Sequence, residues 1–147
     1  RPALGEMHRV LKPAGLVALR SPDWGGFIIA PGTPMLDRAI EVYKKLQTEN
    51  GGDVLAGRKL KGWLIQADFQ DVVATGTYES YEPLVSITEY LALRIEEAVL
   101  KDGAVERGWV TEHDIDEMTS ALRALAGRAD GVFLQAWCEV IGKKSDE

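Results

Sequence analysis

The stretch from Leu4 to Pro22 constrains the fold of this chain more than any other. Its apolar residues first recur at helical spacing, at Leu4, Met7, Val10 and Leu11. The breaker Pro13 and the flexible Gly15 follow, and Leu16–Leu19 is a short unbroken apolar run. The pattern predicts the end of a helix, a tight turn in which Gly15 supplies the positive φ, and a buried strand.

A helix that feeds a buried strand indicates an α/β sheet. Parallel strands need a crossover helix between them, and strands buried on both faces are continuously apolar. The strand that should precede this helix is missing, and the chain opens on Arg1 within a helix already under way. We therefore expect the chain to be a piece of a longer protein.

The same residues carry a family resemblance. The run Leu4-x-Glu6-x-x-Arg9-Val10-Leu11-Lys12-Pro13-Ala14-Gly15, followed by Leu-Val-Ala-Leu, resembles the helix–turn–strand signature of class I S-adenosylmethionine-dependent methyltransferases. It is most similar to the small-molecule group typified by ubiquinone and menaquinone biosynthesis enzymes. Ala14 departs from the first glycine of the family pattern, and Gly15 is expected to supply the flexible position instead.

Two further segments extend this resemblance over most of the chain. Leu64–Val73 is similar to the family's entry into its sixth strand, with Asp68 in place of a glycine, and Phe133–Lys143 is similar to its closing strand. Asp tolerates the left-handed conformation better than most side chains, so we expect the turn at Asp68 to survive. The resemblance implies an α/β fold, the carboxyl-terminal part of a Rossmann-like sheet with three strands.

In the implied sheet the last strand is antiparallel and lies between the Leu16 and Asp71 strands. The apolar character of Val132–Ile141 on both faces independently favours this interior position. We treat residues 1–147 as one domain with a helical insertion at about 85–128, and we expect these extra helices to shape the acceptor side. The other predicted elements are a helix capped by Thr33 with Pro34 first, a helix at Arg58–Ala67, a strand at Asp71–Tyr81, and two helices opened by the capping boxes Ser86-x-x-Glu89 and Thr111-x-x-Asp114.

Composition narrows the class of partner. With 147 residues, 46% of them hydrophobic, the chain can bury a core. The net charge of −6 argues against nucleic acid, because nothing would displace the counterions of its phosphates. The apolar runs are far shorter than a membrane span needs. The single cysteine fits a reducing cytoplasm. The resemblance implies a small-molecule acceptor as partner, and the composition argues against nucleic acid and membrane.

The loop from Ser21 to Phe27 is where we expect function to concentrate. In open α/β sheets, ligands bind beyond the carboxyl ends of the strands. Arg20, Asp23 and Trp24 are therefore candidate acceptor-binding residues. The alternative is a solvated loop anchored by its tryptophan. His8 and His113 have no second ligand at metal-binding spacing, so no metal site is predicted, and Cys138 is read as a small core residue.

The resemblance implies S-adenosylmethionine as the cofactor of the parent protein. In the family, the cofactor lies on a Gly-rich turn after the first strand, with an acidic residue after the second. Gly25-Gly26 and Gly51-Gly52 do not lie in such a strand–turn–helix unit. We expect the isolated piece to bind the cofactor poorly and to be inactive, and we assign no catalytic residue.

Loss of the preceding strands would leave the Leu16 strand as an unpaired apolar edge, which natural proteins avoid. We therefore expect a homodimer, formed through this exposed edge or by exchange of an element. One alternative function is a noncatalytic binding or dimerisation module derived from the same fold. Another is a different doubly wound enzyme such as a hydrolase, for which the chain offers no Gly-x-Ser-x-Gly elbow.

Overall fold

The computed structural model describes residues 2–146, with the side chains of residues 98–102 left out. The helices are α1 (Pro2–Val10), α2 (Pro34–Glu49), α3 (Ala56–Gln66), α4 (Val85–Asp102) and α5 (Glu112–Ala126). The strands are β1 (Leu16–Pro22), β2 (Ile28–Ala30), β3 (Gln70–Ser80) and β4 (Val132–Lys143). The chain is thus an α/β protein, as expected.

The chain divides into two compact units. The first, called unit 1 below, comprises residues 1–27, 54–79 and 135–147. The second, unit 2, comprises residues 28–53 and 80–134. The expectation of one domain with a helical insertion is not decided by this division.

In unit 1, β4 is an interior strand. β1 pairs with it antiparallel, with Leu16 opposite Lys143 and Pro22 opposite Trp137, and β3 also pairs with it. The predicted order of first, last and middle strand is therefore confirmed for these three strands, as is the antiparallel direction of the last strand relative to β1. The core beneath them joins β1 and β4 to α3 through Val17, Leu60, Leu64, Phe69 and Val140.

The prediction that the first strand is buried on both faces was wrong. Val17 is 8% exposed and packs into the core, whereas its neighbour Leu16 is 65% exposed. Ile141, directly opposite Ala18 on β4, is 51% exposed as well. Among the described residues of unit 1, helices cover one side of these strands, so the alternate side chains face solvent.

The turn between α1 and β1 uses Ala14, and not Gly15, for its left-handed residue. Ala14 has a φ of 61°, so the expectation for Gly15 was wrong. Gly15 is required for a different reason. A Cβ atom there would lie 2.8 Å from the carbonyl oxygen of Lys12, to which the Gly15 N–H donates at 2.9 Å. At the second turn Asp68 has a φ of 65°, as predicted for the residue that replaces the family's glycine.

In unit 2, α2, α4 and α5 pack on one another around an apolar core. The buried members include Leu36, Ile40, Leu91, Met118 and Leu122, all at most 2% exposed. The Thr33 hydroxyl accepts a hydrogen bond from the Leu36 N–H, which confirms the predicted cap of α2.

The two predicted capping boxes of this unit have different outcomes. Thr111 and Asp114 form the box that opens α5. Ser86 and Glu89 do not, because α4 begins at Val85 and places Ser86 inside its first turn. The Ser86 hydroxyl donates to the carbonyl of Pro83, and the Glu89 carboxylate binds Arg123.

A short fourth strand was missed. Ile28–Ala30 forms β2, which pairs antiparallel with residues 132–134 of β4, within unit 2. The prediction of three strands is therefore corrected to four. Only Ile28, Ile29 and Ala30 take part, which is too short a run for a period-2 pattern to be recognised.

Candidate functional site

Asp23 organises the loop that follows β1. Its side chain is 6% exposed, and both of its carboxylate oxygens accept hydrogen bonds from the guanidinium of Arg58, each at 2.7 Å. The backbone N–H groups of Gly25 and Arg58 donate to the same carboxylate at 2.9 and 3.2 Å. The hydrogen bonds from Arg58, assisted by these N–H groups, hold the pKa of Asp23 below its usual value against the opposing effect of burial. Asp23 is therefore ionised, and its carboxylate is bound by the Arg58 guanidinium and by two backbone N–H groups.

Two glycines allow the close packing around this carboxylate. At Gly25, a Cβ atom would collide with the guanidinium of Arg58. At Gly57, in the first turn of α3, it would lie 3.0 Å from the carbonyl oxygen of Ser21 and 3.1 Å from the Sγ atom of Cys138. Because both positions lack a Cβ, α3 approaches β1 closely and presents Arg58 to the loop.

Trp24 lies inside the same loop. It is 7% exposed, its backbone N–H donates to the carbonyl of Val54, and its ring lies 6.1 Å from that of Phe27. The carbonyl of Asp23 accepts a hydrogen bond from the side-chain amide of Gln135, which is 2% exposed. The loop is thus anchored through its interior residues.

Arg20 belongs to a second group of side chains, on the exposed side of the strands. Its guanidinium bonds to the carboxylate of Glu139 at 3.0 Å, lies 3.5 Å from that of Glu79, and stacks over the Trp137 ring at 4.1 Å from the ring centre. The hydroxyls of Thr75 and Thr77 donate to Glu139 at 3.3 and 2.9 Å. Together, these hydroxyls and Arg20 keep the pKa of Glu139 low, with the Thr77 bond as the largest cause.

The structure therefore separates the three predicted acceptor-binding residues into two environments. Asp23 and Trp24 are interior residues of the loop, whereas about half of the Arg20 side chain is exposed. The Arg20 guanidinium, the Trp137 ring and the Glu139 carboxylate lie together. Such an arrangement is able to contact a planar or polar ligand.

Sequence reasoning missed Arg58 and Glu139. Arg58 lies 35 positions from Asp23, on a helix with no motif around it, so no local signal was available. Glu139 is the only carboxylate of the mostly apolar strand β4, and a carboxylate in such a segment is a signal that could have marked it.

The glycine pairs do not fit a cofactor site in the described part of the chain. Gly25-Gly26 is followed by a loop and β2, and not by a helix, and Gly25 makes room for Arg58. Gly51 has a φ of 80° and the Gly52 N–H donates to the carbonyl of Gln47, so this pair terminates α2. Neither pair offers a free Gly-rich turn to a phosphate-bearing or nucleoside ligand.

The remaining candidates for chemistry are the two histidines and the cysteine, and none of them belongs to the group around the Asp23 carboxylate that was described above. His113 is 81% exposed and lies 3.5 Å from Glu117, and His8 packs edge-on against the ring of Phe69. Cys138 is half-buried, and burial together with the charge of Asp23 raises the pKa of its thiol. Within residues 2–146, no group of three or more potential metal ligands was found.

Among the described residues, none of the helices is long and apolar enough to cross a bilayer.

Of the comparisons with known proteins, only the one with solved structures found similar proteins. No family model and no curated protein matches the chain. Two structures of phosphoethanolamine N-methyltransferase 2 from Haemonchus contortus are similar, one with phosphomonomethylethanolamine and S-adenosylhomocysteine and one with S-adenosyl-L-methionine. Their sequence identities to this chain are 15% and 16%, and the TM-score is 0.41 for both. Each alignment covers 97% of this chain and 29% of the other, so the chain spans less than a third of these proteins.

Proposed function

We propose that this chain is the carboxyl-terminal part of an S-adenosylmethionine-dependent methyltransferase that acts on a small-molecule acceptor in the cytoplasm. The observation that carries the proposal is the strand order of unit 1. β4 runs antiparallel to β1 and lies between β1 and β3, the arrangement that the Leu4–Leu19 resemblance implies for this part of the family's sheet. The left-handed conformation of Asp68, where the family has a glycine, is a second point of agreement.

According to this proposal, the 147-residue chain alone does not catalyse methyl transfer. Methyl transfer from a sulfonium requires the nucleophile, the methyl carbon and the sulfur to be held in line. The described residues do not provide a Gly-rich turn for the cofactor, so an upstream part of the parent protein must hold it. The parent's cofactor is S-adenosylmethionine.

The contribution of this chain is to the acceptor side. Arg20 contacts the acceptor, supported by its bond to Glu139 and its stacking on Trp137. Asp23 and Trp24 shape the adjoining loop, because the Asp23 carboxylate is saturated by Arg58 and by backbone N–H groups.

Calorimetric titration of S-adenosylmethionine into this chain and into the longer protein encoded by its gene tests the proposal. We expect binding by the longer protein and not by the 147-residue chain. Absence of binding by both proteins would overturn the methyltransferase assignment, and binding by the chain alone would overturn the assignment of the cofactor site to an upstream part.

The second candidate is a noncatalytic binding or dimerisation module of the same fold. The observation that favours it is the engagement of both glycine pairs in local structure. A start codon immediately before the codon for Arg1 would support this module, whereas an upstream coding region with a Gly-rich turn would support the enzyme.

A further inference from the structure

The outer edge of β3 carries backbone groups that no described strand pairs. The Asp23 N–H donates to the carbonyl of Ala136, so the even-numbered residues of β4 bond to β1 and the odd-numbered ones face β3. The hydroxyls of Thr75 and Thr77 both reach the carboxylate of one odd-numbered residue, Glu139. The odd-numbered residues of β3 therefore bond to β4, and the backbone N–H and C=O groups of its even-numbered residues point outward.

This edge lies on the opposite side of the sheet from β1, because β4 pairs with both strands and lies between them. The strands that the family resemblance places before Leu4–Leu19 would extend the sheet beyond β1. The free backbone groups of β3 therefore do not depend on what precedes residue 1.

The edge of β3 is exposed and uncharged over most of its length. Residues 72–78 have no charged side chain, and Val73 and Tyr78 are 61% and 57% exposed. The two charged residues of the strand, Asp71 and Glu79, flank this segment. Natural edge strands avoid pairing through lysines and prolines, and residues 72–78 contain neither.

Gly76 lies in the middle of this edge, and the described contacts of the chain do not require a glycine there. It has no positive φ, and the nearest atom to an added Cβ would be the carbonyl oxygen of Trp137 at 3.8 Å, an ordinary contact. Glycine weakens the interior of a strand and often marks a place where another backbone approaches closely. Gly76 therefore indicates a neighbouring strand outside the chain.

We propose that this chain forms, both alone and within the longer protein encoded by its gene, a twofold symmetric dimer. In this dimer β3 pairs antiparallel with β3 of a second copy, centred on Thr77. The inference does not rest on the proposed reaction. It also uses a different edge from that of the Leu16 strand, from which the sequence-based expectation of a dimer came.

The Thr77-centred register satisfies the outward backbone groups on both sides of the axis. Gly76 of each copy exchanges both hydrogen bonds with Tyr78 of the other, and Ala74 of each copy exchanges both with Ser80. Asp71 has a φ of 50°, which departs from the extended conformation that a pairing strand requires. It lies outside the paired segment, so its conformation does not interfere.

The side chains favour the same register. Tyr78 of one copy lies opposite Gly76 of the other, so its ring covers the glycine, an arrangement that stabilises edge glycines in sheets. Thr77 lies opposite its own copy, and paired threonines are favourable across strands. The register therefore supplies the neighbour that Gly76 lacks within its own chain.

Charge selects this register over a neighbouring one. A pair centred on Thr75 would place Asp71 of each copy opposite Glu79 of the other, and like charges directly opposite destabilise a sheet. In the Thr77-centred register Glu79 lies opposite Thr75, whose hydroxyl is a hydrogen-bond donor. The Glu79 carboxylate also lies 3.5 Å from the Arg20 guanidinium of its own copy, which compensates its charge.

Ala74 offers a matched pair of variants. Its N–H points outward and is not used by β4, so Ala74→Pro removes a bond to the second copy alone, whereas Ala74→Thr keeps the N–H and suits a strand. We expect wild type and Ala74→Thr to be dimers by size-exclusion chromatography with light scattering. Ala74→Pro should raise the dimer dissociation constant roughly tenfold or more, with its circular dichroism unchanged.

Disulfide cross-linking tests the position of the twofold axis. The Cα atoms of Thr77 and its copy form a non-hydrogen-bonded pair about 4.5 Å apart, a distance that a disulfide can span. In a Cys138→Ser background, which removes the single native cysteine, Thr77→Cys should give a covalent dimer with oxidised glutathione as the oxidant. Thr75→Cys is the matched control, because the Thr75 hydroxyl binds the same carboxylate but its Cα lies roughly 13 Å or more from its copy.

Both tests are made on the 147-residue chain and on the longer protein encoded by its gene. A monomeric wild type at high concentration, for either protein, would overturn the proposal. So would a dimer that Ala74→Pro does not weaken, or cross-linking of Thr75→Cys as rapid as that of Thr77→Cys, since either result would indicate another interface. Cofactor binding is not measured in these experiments, so their outcome is separable from that of the titration proposed above.

Discussion

Ala14 occupies a backbone conformation that its side chain makes costly. A non-glycine residue at positive φ loses roughly 1–2 kcal/mol through contact of Cβ with the following carbonyl. The methyltransferase signature that this segment resembles has a glycine at this position. Ala14 adopts a φ of 61° although its side chain has a Cβ atom. The turn is therefore held by its surroundings, including the Ala14 N–H bond to the carbonyl of Ser145.

Replacing this residue by glycine should stabilise the chain. We expect Ala14→Gly to raise the free energy of unfolding by about 0.5–1 kcal/mol, because the relief of strain exceeds the added entropy of the unfolded chain. Urea unfolding provides the measurement. Ala129→Gly is the matched control, since Ala129 is exposed, lies in a turn and has no positive φ, and it should lower the stability.

The bond between Asp23 and Arg58 makes stability depend on pH. The pKa of Asp23 is lowered in the folded state, so its contribution is present above the unfolded value of about 3.9 and is lost as the pH falls through the folded pKa. Asp23→Asn should therefore destabilise the chain at pH 7 and lose this effect in acid.

The expected cost of Asp23→Asn at neutral pH is about 2 kcal/mol. Breaking a buried ion pair costs roughly 3–5 kcal/mol, but the Arg58 side chain is 53% exposed and solvent screens it. Urea unfolding of wild type and variant at pH 7 and at pH 3 measures the difference. An equal difference at both pH values would contradict the role assigned to the carboxylate.

Two helices of unit 2 show why a capping motif alone does not define a helix start. Both Thr111-x-x-Asp114 and Ser86-x-x-Glu89 match the pattern, but only the first forms reciprocal bonds between side chain and backbone. Around Ser86 the helix has already begun at Val85, and Glu89 is held by Arg123. A partner 34 residues away thus competes with the local motif.

The two motifs should differ in their contribution to stability. We expect Thr111→Ala to cost about 1 kcal/mol, the usual price of losing an N-cap side chain. Ser86→Ala should cost no more than about 0.5 kcal/mol, because it removes a single exposed hydrogen bond to Pro83. Thermal unfolding of the two variants measures this difference, and equal effects would contradict the assignment of the caps.

The interior position of β4 follows from sequence because its apolar residues extend along both faces. The exposed side of β1 does not follow, since the run from Leu16 to Leu19 is equally apolar and only the arrangement of the helices leaves Leu16 uncovered. The sequence allowed three candidate residues to be selected by their place at or beyond the end of an apolar run: Arg20, Asp23 and Trp24. Their separation into interior and exposed environments could not.

What the sequence determined by itself was local. The apolar spacing of the helix that precedes β1, the caps at Thr33 and Thr111, and the left-handed Asp68 depend on interactions within a few residues, which leave a periodic or motif signature. The tertiary structure alone decided that Arg58 saturates Asp23 across 35 positions and that Glu139 binds Arg20 across 119. Such contacts form only when distant segments pack together, and a single side chain in a distant segment carries no pattern that announces its partner.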